Sequence, residues 1–172
     1  MSQDEQIDIV NERDEVVDIS SKFTAHNQGL LHRTVIAEVI GPDGRWTLVQ
    51  QASDKQDAGQ FVSPVGGHVR AGESEDDALR REAAEEYGLT GELQFKCIGK
   101  KVYKRQTRGK IENHYFSVYE IYTNKPPVLN EESVGTETFS KEQLARELKE
   151  NPSKFGDAFH FVFNNFYQSI FR

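Results

Sequence analysis

The 172-residue sequence predicts a single domain of the α/β (α+β) class. Three observations support this prediction. Apolar runs of strand length, bounded by turn residues, occur in both halves of the chain. A central acidic segment has cap residues at both ends, and the C-terminal part carries apolar side chains at helical spacing. Hydrophobic residues make up 36% and charged residues 28%, which is typical of a folded domain long enough to bury a core.

The N-terminal part is predicted to be mainly strand. Ile7–Val10 and Glu15–Ile19 flank a polar turn and are expected to form a hairpin that packs against the main domain. Leu31–Ile40 is a longer apolar strand. The sequence Gly41-Pro42-Asp43-Gly44 is a strong turn signal before the next strand, Trp46–Gln50.

The second half predicts two more strands and two C-terminal helices. Leu93–Tyr103 and Ile111–Thr123 are expected to pair around a short turn. A helix is expected to begin at Ser140, with Gln143 in capping-box position, and Pro152 is expected to open another. The apolar stripe of this last helix, interpreted as core or as the face of a homodimer, consists of Phe155, Phe159, Val162, Phe163, Phe166, Ile170 and Phe171.

Charge and composition exclude several classes of function. The net charge of −7 argues against a general nucleic-acid binder, which would need a basic surface. The chain has no apolar run of membrane-spanning length, and its acidic N-terminus lacks the basic flank of a signal peptide. The single cysteine, Cys97, excludes an internal disulfide and favours a cytoplasmic protein, and we expect it to be a buried, inert thiol.

The segment Gly67–Leu89, GHVRAGESEDDALRREAAEEYGL, carries the clearest chemistry. Ser74 is predicted to cap a helix, with Asp77 in capping-box register, and Gly88 to end it. Three carboxylates stand at i, i+3 and i+4 of this helix, namely Glu82, Glu85 and Glu86. They repel one another and the helix dipole, which is compatible with a solvated acidic face. Their hard oxygen atoms also suit a divalent cation such as Mg²⁺ or Mn²⁺.

The spacing within this segment resembles the Nudix box. The matching positions are Gly67, Glu73, Arg81, Glu82, Ala83, Glu85, Glu86, Gly88 and Leu89, of which Ala83 is smaller than the aliphatic residue usual there. The resemblance implies a MutT-like Nudix hydrolase, an α/β/α sandwich with a mixed sheet. Such an enzyme cleaves a nucleoside diphosphate linked to another moiety, or another small diphosphate. We expect the Nudix core at 30–165 and a hairpin extension at 1–29.

The resemblance also implies the roles of individual residues. The implied metal ligands are the carbonyl of Gly67 and the carboxylates of Glu82, Glu85 and Glu86, which are also the expected catalytic groups. Glu73 and Arg81 would form a structural pair. Glu132 follows the Pro126-Pro127 break, in a loop where some Nudix hydrolases place a further catalytic glutamate. A metal held by carboxylates can neutralise the diphosphate and lower the pKa of the attacking water, as this pyrophosphatase chemistry requires.

Two weaker features remain open. The hairpin from 100 to 110 carries six cations, of which Lys104 and Arg105 are candidate phosphate ligands, although a solvated hairpin tip is the alternative. Several side chains are similar to the metal-site residues of isopentenyl diphosphate isomerase, a relative with the same fold: His26, His32, His68, Glu112 and His114.

The likeness to the isomerase is incomplete. The position of the isomerase's catalytic cysteine is Gly66 here, and His114 replaces a glutamate that takes part in proton transfer. The histidines, including His68 as a candidate substrate contact, could form a second metal site or be hydrogen-bonded structural groups. A hydrolase is therefore favoured over an isomerase-like enzyme, and the intact box disfavours a non-catalytic ligand sensor on the same fold.

Overall fold

The structure, a computed structural model, describes residues 5–168. Their strands are β1 (Gln6–Val10), β2 (Val16–Ser21), β3 (His32–Ile40), β4 (Trp46–Gln51), β5 (Phe61–Val62), β6 (Val65–His68), β7 (Phe95–Thr107), β8 (Lys110–Tyr122) and β9 (Ser133–Phe139). The helices are α1 (Lys22–Gln28), α2 (Glu75–Glu82), α3 (Lys141–Glu150) and α4 (Asp157–Val162). α2 and α4 continue into wider π-helical turns, Ala83–Tyr87 and Phe163–Tyr167.

Strand β3 is the centre of a mixed sheet. It pairs antiparallel with β1, β4 and β6 and parallel with β8. β5 and β9 pair with β4, and β2 extends the sheet beyond β1. β7 and β8 form a long hairpin whose turn residues, Arg108 and Gly109, both have positive φ angles, as a two-residue hairpin turn requires.

Helices cover both faces of this sheet. Alternate β3 side chains, such as Val35 and Ala37, pack under α2 together with Leu79. Ile36, between them, belongs to a second cluster under α3 and α4 that includes Phe159. The predicted α/β/α sandwich with C-terminal helices is therefore confirmed.

The cap residues predicted from sequence are also confirmed. Ser74 Oγ accepts the N–H of Asp77 at 3.1 Å, and Gly88 ends the helix with a left-handed φ of 86°. Ser140 and Gln143 form a reciprocal capping box at the start of α3. These local hydrogen bonds fix where α2 and α3 begin, and hence where the carboxylates of α2 lie.

Three features differ from the prediction. No helix or strand was predicted where α1 and β9 lie. Pro152 opens only a short 3₁₀ turn, and α4 begins at Asp157. Cys97, expected to be buried, is exposed, because β7 has a solvent-facing outer edge and a bulge between Cys97 and Gly99 interrupts the alternation of its side chains.

The C-terminal apolar stripe is core. Its buried members are Phe155, Phe159, Val162 and Phe163, whereas Ile170 and Phe171 lie outside the described residues. Within residues 5–168, no helix combines the length and the apolar character that crossing a bilayer would need.

Candidate active site

Helix α2, strand β6 and a separate loop enclose a cavity of about 490 Å³, named here the box cavity. Its lining residues are Gly66, Gly67, His68, Glu82, Glu85, Glu86, Asn130, Glu131 and Glu132. The three box carboxylates thus reach one space together with Glu132. Five carboxylates and a glycine pair on one cavity make a surface suited to bind a cation rather than a bare anion.

The box carboxylates have different surroundings, because the helix widens into its π-helical turn directly after Glu82. Glu82 is buried, and Glu86 accepts the backbone N–H of Gly66 at 3.0 Å. The side chain of Glu85 remains 49% exposed. A π-helical turn rotates the residues that follow it, and such turns frequently occur at functional sites. The sequence spacing alone would have made the three carboxylates equivalent.

Burial makes this cluster bind protons in the absence of a cation. Burial raises the pKa of Glu86 to about 9, an effect that the N–H of Gly66 opposes and the negative charge of Glu82 reinforces. Burial also raises the pKa of Glu82, although its ion pair with Arg81, at 2.7 Å, favours the charged form. The positive charge near these groups is too small to ionise them all, so a divalent ion fits this donor set.

Arg81 fastens the loop before α2 to the helix. Its guanidinium donates to both carboxylate oxygens of Glu73, at 2.8 and 3.0 Å, and to the carbonyl oxygen of His68 at 2.9 Å. Burial alone would raise the pKa of Glu73, but the hydrogen bonds from Arg81 hold it below its usual value. This arrangement supports the structural role proposed for the pair.

Gly67 allows β6 to approach α2 closely. A Cβ atom added to Gly67 would overlap the carboxylate of Glu82. A Cβ on Gly66 would instead have its nearest contact at 3.4 Å, with the carbonyl oxygen of Val35. Only the second of the two glycines is therefore required by packing against the carboxylates.

Glu132 enters the box cavity from the loop before β9. The carboxamide oxygen of Asn130 accepts the N–H groups of Glu132 and Ser133, at 2.8 and 2.9 Å, and so fixes the turn. Lys55 Nζ lies 3.5 Å from the Glu132 carboxylate. A narrower cavity of about 170 Å³, named here the side cavity, shares Gly66, Glu86 and Glu132 with the box cavity.

Four histidines from different elements converge beside β6: His26 of α1, His32 of β3, His68 of β6 and His114 of β8. Each offers one ring nitrogen, and these nitrogens lie within 4.8 Å of one another. His26 Nε2 is 3.2 Å from His68 Nε2 and 3.5 Å from His114 Nε2. Glu112 is not part of this group, because its carboxylate accepts a hydrogen bond from Gln56 at 2.7 Å.

The histidine cluster is held in its neutral form. Burial lowers the pKa of His26 and of His32 to about 4, and lowers the pKa of His68 and of His114 as well. His32 Nδ1 bonds to the carbonyl of Leu30 at 2.8 Å, which leaves its buried Nε2 without a partner among residues 5–168. Neutral imidazoles whose other nitrogen is fixed by a carbonyl are the usual form of histidine metal ligands.

Comparison with known proteins decides the family. The profile of the NUDIX domain matches residues 30–159. The chain belongs to the Nudix family. The predicted enzyme class, a Nudix pyrophosphohydrolase, is confirmed with it.

Individual Nudix relatives extend this result. The chain is 33% identical over 155 residues to an isopentenyl-diphosphate Delta-isomerase of Serratia proteamaculans, covering 88% of this chain and 86% of the relative. It is 37% identical over 124 residues to an uncharacterized Nudix hydrolase of Streptomyces coelicolor, covering 70% of this chain and 65% of that protein. The crystal structure of DR0079 from Deinococcus radiodurans has a TM-score of 0.74 at 26% identity, covering 95% of this chain and 100% of that one. A MutT protein from Methanosarcina mazei shares the fold, with a TM-score of 0.64 at 20% identity, covering 83% of this chain and 96% of that one.

The basic hairpin of this Nudix chain reaches the side cavity through Asp57, which lines it. Neither Lys104 nor Arg105 lines the box cavity or the side cavity. The Arg105 guanidinium bonds to the Asp57 carboxylate at 3.0 Å. Lys100 forms ion pairs with Asp14 and with Glu75, each at 2.7 Å. Part of the hairpin's charge is therefore used inside the protein.

Two side chains near the carboxylates were missed by the sequence analysis. Lys55 and Ser63 line the side cavity next to Glu86. Both come from segments without a motif, and only the three-dimensional path of the chain brings them to the Nudix box.

Proposed function

We propose that this Nudix protein hydrolyses a diphosphate bond in a nucleoside diphosphate derivative or in another small organic diphosphate. Mg²⁺ or Mn²⁺ would be held by Glu82, Glu85 and Glu86, with the carbonyl of Gly67. One observation supports the proposal above the others. The buried carboxylates converge on a single cavity and are short of positive charge, which a divalent ion and its diphosphate would supply together.

The bound cation would neutralise the diphosphate oxygens and polarise the attacking water. The side chains of the cavity perform the remaining steps. Glu85 and Glu132, 49% and 60% exposed, are cavity carboxylates that solvent reaches, and either can take the proton of the water as it attacks phosphorus. The bond between phosphorus and the bridging oxygen breaks, and that oxygen leaves with the second phosphate. Lys55 is placed to bind an oxygen of that phosphate.

The four histidines suggest a second, chemically different metal site. Their neutral imidazoles favour a transition-metal ion such as Zn²⁺ or Co²⁺ over Mg²⁺, because nitrogen ligands are softer than carboxylates. The buried Nε2 of His32, without a partner among the described residues, supports a metal ion more than a purely hydrogen-bonded cluster. The proposal is that this site is occupied when the protein is active.

An isomerase-like activity is the second candidate. It is favoured by the histidine cluster and by the 33% identity to the Serratia proteamaculans protein. The absence of a cysteine at Gly66 and the replacement of a glutamate by His114 weigh against it, because no side chain of the isomerase type is left at Gly66 to act as acid.

A direct assay separates the two candidates. The purified protein is incubated, with Mg²⁺ and with a chelator, with nucleotide sugars, NADH, diadenosine polyphosphates, nucleoside di- and triphosphates and isopentenyl diphosphate. We expect metal-dependent hydrolysis of at least one diphosphate and no dimethylallyl product. Dimethylallyl diphosphate formed well above background would reverse the ranking, and hydrolysis unaffected by the chelator would contradict the proposed site.

A further inference from the structure

The central strand β3 contains one acidic residue in an otherwise apolar stretch. Glu38 is 0% exposed. Its Oε2 accepts the hydroxyl proton of Ser63 at 2.6 Å, and its Oε1 has no partner among residues 5–168. A buried carboxyl group with half of its hydrogen-bonding capacity unused is destabilising, and an apolar residue would pack there at lower cost. We therefore expect Glu38 to have a function that offsets this cost.

A second carboxyl group lies next to it. Glu120 of β8 is the in-register neighbour of Glu38 across the parallel β3–β8 pair. It accepts the hydroxyl of Tyr122 at 2.6 Å and the hydroxyl of Tyr167 at 2.9 Å. Two carboxyl groups on adjacent strands of a buried sheet face cannot both ionise without repulsion.

Other groups around this pair are few. Trp46 of β4 packs its ring 4.7 Å from that of Tyr167. Lys141, at the start of α3, borders the small cavity next to Glu120, Tyr122 and Tyr167. Within residues 5–168, the titratable side chains that these elements place beside the pair are therefore the two tyrosines and one lysine.

Each carboxyl group is bonded to a different segment of the chain that contributes residues to the side cavity. Ser63 lines that cavity itself, between β5 and β6. Tyr167 belongs to the C-terminal helical segment that also supplies Ala158 and Phe159 to the cavity. Hydrogen bonds thus connect the segment of Ser63 to Glu38 and the C-terminal helical segment to the neighbouring Glu120.

We propose that Glu38 and Glu120 are positioning residues for the side cavity. With Glu38 protonated, the pair carries one charge and holds Ser63 and the C-terminal helix in place. When Glu38 loses its proton, repulsion between the two carboxylates loosens the C-terminal helical segment beside the side cavity and weakens substrate binding. The part of this inference that concerns substrate rests on the proposed function.

The electrostatics place this transition near neutral pH. Burial raises the pKa of Glu38 to about 8, the bond from Ser63 opposes the shift, and the charge of Glu120 adds to it. Neither Glu38 nor Glu120 contacts the box carboxylates or the histidine cluster, so their protonation can be tested separately from metal binding.

Trp46, the single tryptophan of the chain, reports on this region without any substrate. We expect its fluorescence to change between pH 7 and 9, with a midpoint near 8, as Glu38 ionises. In Glu38→Gln the transition should disappear, and it should persist in Glu92→Gln, the same change at an exposed loop position. A wild-type protein without the transition, or a Glu38→Gln protein that retains it, would overturn the proposal.

Kinetics test the link to the cavity. The KM for a hydrolysed substrate should rise several-fold from pH 7 to 9 in the wild type, with kcat changed less, and should be flat in Glu38→Gln. Ser63→Ala should keep the fluorescence transition, with its midpoint moved upward because the bond that stabilises the carboxylate is gone. Equal KM profiles in wild type and Glu38→Gln would exclude the positioning role. If the protein hydrolysed no substrate, the proposed function would fail. The fluorescence experiment would still test whether ionisation of Glu38 next to Glu120 changes this region.

Discussion

Strand β6 lies between two sets of candidate metal ligands with opposite chemistry, and its His68, which belongs to the histidine set, also lines the box cavity. On the side of α2, three carboxylates lie within five residues of one helix. On the other side, four imidazoles come from α1, β3, β6 and β8. Successive residues of a strand face opposite sides, so Gly67 meets Glu82 whereas His68 joins the histidines.

Burial acts in opposite directions on the two sets. It raises the pKa of Glu86 and lowers the pKa of His32, because in each case it disfavours the charged form. For the carboxylates this means that a cation must displace protons. For the histidines the neutral, metal-binding form is already present at pH 7. The two sides should therefore respond differently to pH, to metals and to substitution.

The largest effect is expected on the carboxylate side. Glu85→Gln and Glu86→Gln should each lower hydrolysis by roughly 100-fold or more, because each change removes a proposed metal ligand. Circular dichroism should show an intact fold. Full turnover by either variant with Mg²⁺ would remove the carboxylates from the proposed site.

Of these two substitutions, Glu86→Gln should also stabilise the metal-free protein. The folded-state pKa of Glu86 is about 9, above its ordinary value of 4.5, so its stability contribution is present below pH 4.5 and is lost as pH rises towards 9. Thermal unfolding at pH 8 should therefore show a higher Tm for Glu86→Gln than for wild type, and the difference should vanish near pH 4. A lower Tm at pH 8 would mean that the folded protein stabilises the Glu86 carboxylate and that burial does not raise its pKa.

The dividing strand offers a matched pair of smaller changes. Gly67→Ala places a methyl group against the Glu82 carboxylate and should lower activity roughly 10- to 100-fold through misplaced ligands. Gly66→Ala meets only an ordinary contact at 3.4 Å and should keep most of the activity. Equal losses in both variants would show that the strand, rather than the carboxylate geometry, had been disturbed.

The two sides also differ in how far the sequence predicted them. The carboxylates could be predicted because a helix places i, i+3 and i+4 together whatever surrounds it. Their unequal burial could not, because it depends on the π-helical turn and on the approach of Gly66. The pairing registers of β3 with β6 and β8 bring three of the histidines together, and α1 adds His26. No local pattern contains this arrangement, and only the resemblance to the isomerase grouped these histidines in the sequence.

The missed elements have the same kind of cause. α1 has only seven residues, too few for an apolar period to show, and is defined instead by the cap Ser21 and the left-handed Gly29. β9 is largely exposed and owes its form to pairing with β4 rather than to its own apolar residues. Cys97 was misplaced because a bulge cannot be read from the apolar run around it.

The histidine side should respond to transition metals. At pH 7, Zn²⁺ or Co²⁺ should raise the Tm of the wild type by several degrees, by an amount that grows with metal concentration, and should not do so in His32→Ala. His160→Ala is the matched control, because His160 bonds to the carbonyl of Pro152 and lies outside the cluster. Mg²⁺ in place of Zn²⁺ should have little effect through these ligands.

The stability of the metal-free protein at low pH should also depend on the histidine cluster. The folded-state pKa values of His26 and His32 are about 4, below the ordinary 6.5, so their stability contribution is present above pH 6.5 and is lost as pH falls towards 4. The Tm of the metal-free wild type should therefore fall as the pH is lowered from 6.5 to 4. Measured from its own Tm at pH 7, His32→Ala should show a smaller fall. A Tm that is constant from pH 6.5 to 4 in the wild type would contradict burial of neutral imidazoles.

The smallest effect is expected at Lys104 of the basic hairpin, which lies outside both sets of candidate ligands. Lys104 is exposed and makes no ion pair within residues 5–168, so Lys104→Ala should change KM about twofold or less, and only at low salt.

Arg105, in the same hairpin, should have a larger effect. Its guanidinium and the Asp57 carboxylate are only 18% and 12% exposed, and this pair holds the loop that carries Lys55 to the side cavity.

Arg105→Ala should therefore raise KM several-fold while kcat changes less, because a displaced Lys55 weakens binding in the ground state and the transition state alike. Added salt should leave this increase in place, since a largely buried pair is screened little. Lys55→Ala should reproduce the increase, and combining it with Arg105→Ala should add little, because both changes act through the same ammonium group. An increase that disappears in salt, or one shared equally by Lys104→Ala, would mean instead that the hairpin attracts the diphosphate directly through its surface charge.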